Sequence, residues 1–561
     1  MSSAGILKRT KNLLKLLYSK EASDAIFPQL KNLMDLYRRN DVILGKRKKY
    51  NERVRLDEKD AILITYADTI YKEGEKPLRT LYGFLKKHLK NAVPGVHILP
   101  FFPSSSDAGY AVTDYKEVDS ALGTWEDVRK ISQEYRLMID LVLNHVSSKS
   151  EWFRGFLNGD KRYRNYFIWS DQSIEMPEVF RPRDTPLFTK FHTAEGEKYV
   201  WTTFSPDQID LNYRNPEVLL KIIDVFLFYL SQGAEIIRLD AIGYVWKEPH
   251  TRCVNLSKTH QIVRLFRSIM EYVAPYALIL TEANFPYKEN IEYFGERHEA
   301  NMVYRFSLPP LVADAFARKD TTYIRKITNR KRGELLFFDF LASHDGIGLP
   351  AANEILKKRD FDNLLSITKA HGGFVSYKSL NGDKKPYELN ISYFDIINDP
   401  RIPNDPQAVK RFMAAQAIML SLKGVPGIYI HSLLGSRNYY KGVKDSGVKR
   451  MINREKLPEE RVDAVLSDPQ SLRYQVLKHF LHLLDVRRQI VSFHPASERE
   501  VVDSDKRLLV IRRTFQDKTI LVIINVSDDE VMSLDHKGKF NHVTQKAFGG
   551  KLEAYGTYFL D

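Results

Sequence analysis

Eight short apolar runs alternate with helical stretches along this chain, and that alternation restricts the fold more than any other feature. The runs are AILITYA (61–67), GVHILPF (95–101), LMIDLVL (137–143), EIIRLD (235–240), ALILTE (277–282), MVYRF (302–306), LFFDFLAS (336–343) and GVPGIYI (424–430). Strand-length apolar runs separated by helical segments predict parallel βαβ units. Eight such units close into a (β/α)8 TIM barrel of the α/β class. Polar residues follow most of the runs, on what would be the C-terminal rim, where such barrels build their sites. Two connections, 144–234 and 344–423, are too long to be simple loops. Insertions over the rim are expected there, at about 146–215 and 350–420.

The flanks read differently. Residues 1–58 look helical, with Ile26, Leu30, Leu33 and Tyr37 at helical spacing. An amphipathic face of that kind is expected to pack on the main domain rather than lie on a membrane. KRKKYNERVR (46–55) reads as a charged linker. At the other end, LLVIRRTF (508–515) and TILVIINV (519–526) read as antiparallel strands. The expected organisation is a helical extension over 1–58, a barrel over 59–494 and a small β domain over 495–561.

Composition removes several function classes. Cys253 is the only cysteine among 561 residues. One thiol excludes an internal disulfide and a cysteine-based metal site, and it fits a reducing, cytoplasmic setting. No apolar run approaches membrane-spanning length. Lys8, Arg9, Lys11 and Lys15 interrupt the N-terminal segment, which therefore lacks the apolar core of a secretory signal. The net charge of +14 comes from 85 basic residues scattered among 71 acidic ones. That distribution describes a solvated surface with some attraction for anionic small substrates, not a nucleic-acid face.

The strand ends carry the chemistry. DLVLNH ends the third run with Asp140, Asn144 and His145. IIRLDAIGYVWKE supplies Arg238 and Asp240, LTEAN supplies Glu282, and SHDGIGL supplies His344 and Asp345. In a barrel these side chains converge on one pocket. Singly, each has a plain explanation, since an Asp at a strand end caps helices and His–Asp pairs bind metals. As an ordered set they suit glycoside cleavage. One carboxylic acid protonates the leaving oxygen while a second carboxylate attacks the anomeric carbon. Arg238 shares a strand face with Asp240 and can keep it ionised.

DLVLNH, IIRLDA, TEAN and SHDGIGL resemble, in order, the four signature regions of the α-amylase superfamily, glycoside hydrolase family 13, over roughly residues 60–530. The resemblance implies Asp240 as nucleophile, Glu282 as acid/base and Asp345 as transition-state stabiliser, with His145 and His344 on sugar hydroxyls. ILPFFPSSSDAGYAVTDY (98–115), VWTTFSPDQIDLNY (200–213) and INREK (452–456) resemble the sucrose phosphorylase subfamily. By that resemblance Asp107 and Arg454 clamp a glucosyl unit, Tyr110 lies under it, and Phe204 and Gln208 line the entry.

RPRD (181–184) and PYELN (386–390) bear on the acceptor. By resemblance Arg183 and Tyr387 hold phosphate, and a guanidinium suits phosphate oxygens in a bidentate way. Arg181, Glu388, Lys384 and Lys385 are further acceptor-side candidates. The extension and these two segments are most similar to the glucosylglycerate phosphorylases as a group. The implied partners are a small glucoside and inorganic phosphate, with no nucleic acid and no membrane. No metal or organic cofactor is implied. Sucrose, sucrose 6′-phosphate and glucosylglycerol remain alternative substrates, and a hydrolytic α-glucosidase or transglucosylase an alternative activity.

Overall fold

The computed structural model describes residues 2–50, 55–89, 92–183, 185–329, 335–380 and 383–561. All eight expected strands form. They are β1 (Ile62–Thr65), β2 (Gly95–Ile98), β3 (Arg136–Val142), β4 (Ala234–Asp240), β5 (Leu278–Thr281), β6 (Met302–Tyr304), β7 (Phe337–Phe340) and β8 (Gly424–Tyr429). They close a parallel barrel in the order β1-β8-β7-β6-β5-β4-β3-β2. Both faces of such strands are covered, so β5, for example, is buried along its whole length.

The N-terminal segment is three helices, α1 (Ser3–Leu17), α2 (Lys20–Arg38) and α3 (Asp41–Lys49). Ser2, Ser19 and Asn40 cap them by accepting backbone N–H bonds in each first turn. Ile6, Thr10, Leu13, Leu14 and Leu17 form the buried stripe of α1. It lies against the helix that follows β4, α5 (Ser257–Val273), where Thr10 Oγ1 meets Ser268 Oγ at 2.8 Å. The α2 helix packs on α4 (Pro216–Ser231), the helix leading into β4, and Tyr37 donates to Asp224 at 2.9 Å. The expected linker needs correcting: Lys46–Lys49 form the last turn of α3, where cations suit the helix dipole, and Lys46 pairs with Glu235 at 2.6 Å. Residues 51–54 of that segment lie outside the described residues.

Both long connections fold over the rim. The first leaves as His145–Ser147 and returns as Gln208–Asp210, two short antiparallel strands that pin its ends together. Buried Asp210 accepts from Thr203 and Asn144 and pairs with Lys247 at 2.7 Å, so the insertion is tied to the chain beyond β4. The second carries a hairpin, Phe374–Leu380 and Asp383–Asn390, joined to Ile347–Gly348 just past β7. A third excursion, after β8, was not anticipated; it holds the helix Tyr440–Ser446 and a 3-10 turn at Lys449–Asn453. Beyond the barrel, β9 (Glu498–Val501), β10 (Leu508–Phe515), β11 (Lys518–Asn525), β12 (Phe540–Asn541), β13 (Lys546–Ala547) and β14 (Thr557–Leu560) make an antiparallel sheet ordered β9-β10-β11-β14-β12-β13. No helix among the described residues is long and apolar enough to cross a membrane.

Candidate active site

Parallel register builds the centre of the site. Arg238 on β4 lies level with Asp140 on β3. Its Nη1 donates to Asp240 Oδ1 at 2.6 Å and also to Asp140, whose other oxygen meets His97 Nε2 at 2.6 Å. His97, Asp140, Arg238 and Asp240 are all buried. A buried cation held between two carboxylates stays compensated only while the whole set is present. After Asp240 the chain turns at Ala241, whose φ of 49° strains a residue carrying a Cβ. That turn aims the Ala241 N–H at Glu282 Oε2, 3.0 Å away.

Burial raises the Asp240 and Glu282 carboxyls above the usual range. Arg238 opposes the rise at both, while Glu282 adds to it at Asp240 and Asp345 adds to it at Glu282. Mutually repelling carboxylates of this kind favour holding a proton between them. Only Asp240 has the direct guanidinium bond, so ionisation is favoured there and protonation at Glu282.

Asp345 behaves in the opposite way. Burial would raise it, but Arg450 Nη1 at 2.5 Å, with His344 and Arg454, outweighs burial and holds it well below the usual carboxylate range. Burial pushes the His344 imidazole down to about 3, so it is neutral at pH 7. Its ring stacks on Tyr110 with centroids 5.1 Å apart and planes 7° from parallel. His145, also lowered by burial, places Nε2 3.0 Å from the Tyr110 carbonyl and 3.1 Å from Gln208 Nε2. Gln208 Nε2 in turn donates to Asp107 at 3.1 Å.

The hairpin brings the other side of the site. Ser376 pairs with Glu388 and Tyr377 with Pro386, so Tyr387 is the extra residue of a β-bulge. Successive strand residues ordinarily face opposite ways, and the bulge lets Tyr387 and Glu388 border the same cavity. Gly346 allows the hairpin to come this close, since a Cβ there would lie 2.5 Å from the Leu389 carbonyl oxygen. Arg450 grips Glu388 with two parallel bonds, Nε–Oε1 at 3.0 Å and Nη2–Oε2 at 2.5 Å. Glu388 is therefore charge-compensated within the protein.

These groups line one cavity. Asp240, Glu282 and Asp345 border it together. So do Asp107, Tyr110, His145, Phe204, Gln208 and His344. Arg183, Tyr387 and Glu388 border it as well. Arg183 makes no hydrogen bond or ion pair among the described residues, although it sits in a carboxylate-rich cavity. Arg238 does not border the cavity but bonds Asp240, which does.

Two expected ligands do not line it. Arg454 is turned inward, its Nε donating to the His344 carbonyl at 2.7 Å and its Nη2 lying 3.7 Å from Asp345, so it braces those residues from behind. Arg181 is also outside the lining, and Asp184 of the same segment lies outside the described residues. Strand alternation also places Lys384, paired with Ser379, on the hairpin face opposite Lys385 and Tyr387. Sequence reasoning missed Arg450, Tyr244, Asn284 and Phe306 as lining residues. The available signal for Arg450 was its place four residues before Arg454 in RMINR.

The α-amylase catalytic-domain family model matches residues 87–342. The glucosylglycerate phosphorylase of Spirochaeta thermophila is 48% identical over 528 residues, covering 93% of this chain and 89% of that protein. The glucosylglycerate phosphorylase of Escherichia coli is 42% identical over 494 residues, 87% of each chain. Among solved structures, the crystal structure of sucrose 6F-phosphate phosphorylase from Thermoanaerobacter thermosaccharolyticum matches with a TM-score of 0.74 at 27% identity, covering 85% of this chain and 95% of that one.

Proposed function

The chain belongs to the α-amylase family, in the phosphorylase branch that holds the glucosylglycerate phosphorylases, and we propose that it converts 2-O-α-glucosyl-D-glycerate and phosphate to α-D-glucose 1-phosphate and D-glycerate by double displacement. One observation carries this reading. Asp240 and Glu282 border a single cavity in which Arg183 stands without a carboxylate partner among the described residues. A carboxylate pair alone would serve hydrolysis, whereas an unpaired arginine beside it provides for an anionic acceptor.

In the first step Asp240 attacks the anomeric carbon and Glu282 gives its proton to the leaving glycerate oxygen. Arg238 keeps Asp240 ionised for that attack. The product is a glucosyl ester on Asp240 and an ionised Glu282. Asp345, held ionised by Arg450, faces the positive charge that develops on the sugar. Tyr110 presents an apolar face to the ring, and His145, His344, Asp107 and Gln208 supply its hydroxyl partners.

In the second step hydrogen phosphate, held by Arg183 and Tyr387, attacks the same carbon from the opposite side to Asp240. Glu282 takes the phosphate proton, and the ester bond to Asp240 breaks. Two inversions retain the α configuration. The same proposal includes a cytoplasmic location, a reducing setting that a chain with a single buried cysteine suits.

The test is a mass balance. The protein is incubated with α-glucose 1-phosphate and each of D-glycerate, fructose, fructose 6-phosphate and glycerol, and released phosphate is measured. Fastest release with D-glycerate is expected. Absence of phosphate with every acceptor, together with glucose release from α-glucosides, would remove the phosphorylase reading.

A further inference from the structure

Above Tyr387 the structure carries a group of cations that the reaction described so far does not use. Lys378 stands directly across the hairpin from Lys385. Like charges placed opposite one another destabilise a strand pair. The alternation that follows the Tyr387 bulge puts Lys378, Lys385 and Tyr387 on one face, and Tyr387 borders the active-site cavity. Lys378 Nζ lies 5.3 Å from the centre of the Tyr387 ring and 4.5 Å from that of Phe180. Arg252 reaches the same Phe180 ring, at 5.6 Å.

Within this group Arg252 is paired with Glu289, whereas Lys378 is not directly balanced. Among the described residues no carboxylate lies within ion-pair distance of Lys378. Glu289, the acidic group that acts on it, already takes hydrogen bonds from Arg252 at 3.5 Å and Asn255 at 2.7 Å. Partial burial, Arg252 and Lys385 together push the Lys378 ammonium down to about 8, which leaves it mostly protonated at pH 7. A half-buried ammonium without a direct counter-charge beside a catalytic cavity gains most from an anion that arrives with the substrate.

Resting on the proposed function, we infer that Lys378 binds the anionic group of the acceptor, the D-glycerate carboxylate, and so selects charged acceptors over neutral ones. Arg183 then serves the phosphate close to Glu282, while Lys378 holds the carboxylate further out along the hairpin. The two anions occupy the acceptor side in turn, one leaving before the other enters. Separate cations allow each to be held without one site having to fit both.

The experiment uses the full chain in the synthetic direction, with α-glucose 1-phosphate as donor and either D-glycerate or glycerol as acceptor. Glycerol keeps the hydroxyls and lacks the carboxylate. Lys378→Met should raise KM for D-glycerate by about 10-fold or more, the scale of losing one charge-assisted contact, with kcat and the glycerol KM within about 3-fold of wild type. Lys378→Arg should keep the D-glycerate KM within about 3-fold. Lys378→Gln repeats the test should the methionine variant fold poorly. Equal changes with both acceptors, or an unchanged D-glycerate KM, would overturn the assignment. Wild-type data separate the two readings: if fructose 6-phosphate is the preferred acceptor, the glycerate assignment falls and the same comparison is made against fructose. A wild-type preference for neutral acceptors would overturn both.

Discussion

Replacing Arg450 by methionine should damage this protein in a way that identifies what the arginine does. Its guanidinium holds Glu388 with two bonds and Asp345 with one ion pair. Methionine keeps much of the volume and removes the charge, leaving two carboxylates facing each other. Removing one partner of a buried ion pair costs about 3–5 kcal/mol. The Asp345 side chain retains 28% exposure, toward the cavity, so water tempers the loss and the lower end applies, about 3 kcal/mol. Globular chains unfold with an entropy of about 2.1 cal/mol/K per residue, so for a chain of 561 residues this corresponds to a fall in Tm of about 2–3 °C. Function should change as well. Without Arg450, the largest influence opposing burial at Asp345 is lost and its carboxyl rises from its lowered position, so the ionised form appears at higher pH than in wild type. The acid limb of the kcat/KM profile should therefore move to higher pH. Adding Glu388→Gln to Arg450→Met should restore part of the Tm, because it removes one stranded carboxylate. Calorimetry and phosphate release across pH check both. A Tm within 1 °C of wild type with the acid limb in place, or a double variant no more stable than the single one, would refute this account of Arg450.

Asp240→Asn should lower kcat by at least about four orders of magnitude, because an amide cannot form the glucosyl ester; phosphate release within tenfold of wild type would remove its role as nucleophile. Arg183→Ala should raise KM for phosphate by about 10- to 100-fold, the scale of a charged hydrogen bond, while hydrolysis of the donor falls much less; equal losses in both would separate Arg183 from phosphate. Acid should destabilise the fold through its buried histidines. Burial pushes His344 and His431 down to about 3, below the ordinary value of about 6.5, so the unfolded chain binds more protons between those limits. Stability is then complete above pH 6.5 and declines as pH falls toward 3; His431→Gln should flatten the slope of Tm against pH in that window, and an unchanged slope would exclude His431 as a contributor.

The strand runs were readable because barrel strands buried on both faces leave near-continuous apolar segments, as in LFFDFLAS and GVPGIYI. The carboxylates proposed to react were readable because Asp240, Glu282 and Asp345 stand at or just beyond strand ends, where local order dictates the rim. The sequence by itself thus determined the barrel, the polarity of its two ends and the place of these three acids on the rim. Strand alternation already put Arg238 beside Asp240, but tertiary structure alone decided which cations serve Asp345 and Glu388. Arg450 meets Glu388 from 62 residues away in the chain, and nothing near either residue announces the pair. Arg454 looks like a sugar ligand in INREK, yet folding turns it toward the His344 carbonyl instead. Tyr387 and Glu388 share one cavity only because a bulge shifts the register of their hairpin. The division has a physical cause. Strand burial and rim position follow from patterns within a few residues, whereas charge pairing is settled by whichever elements the packed barrel brings together.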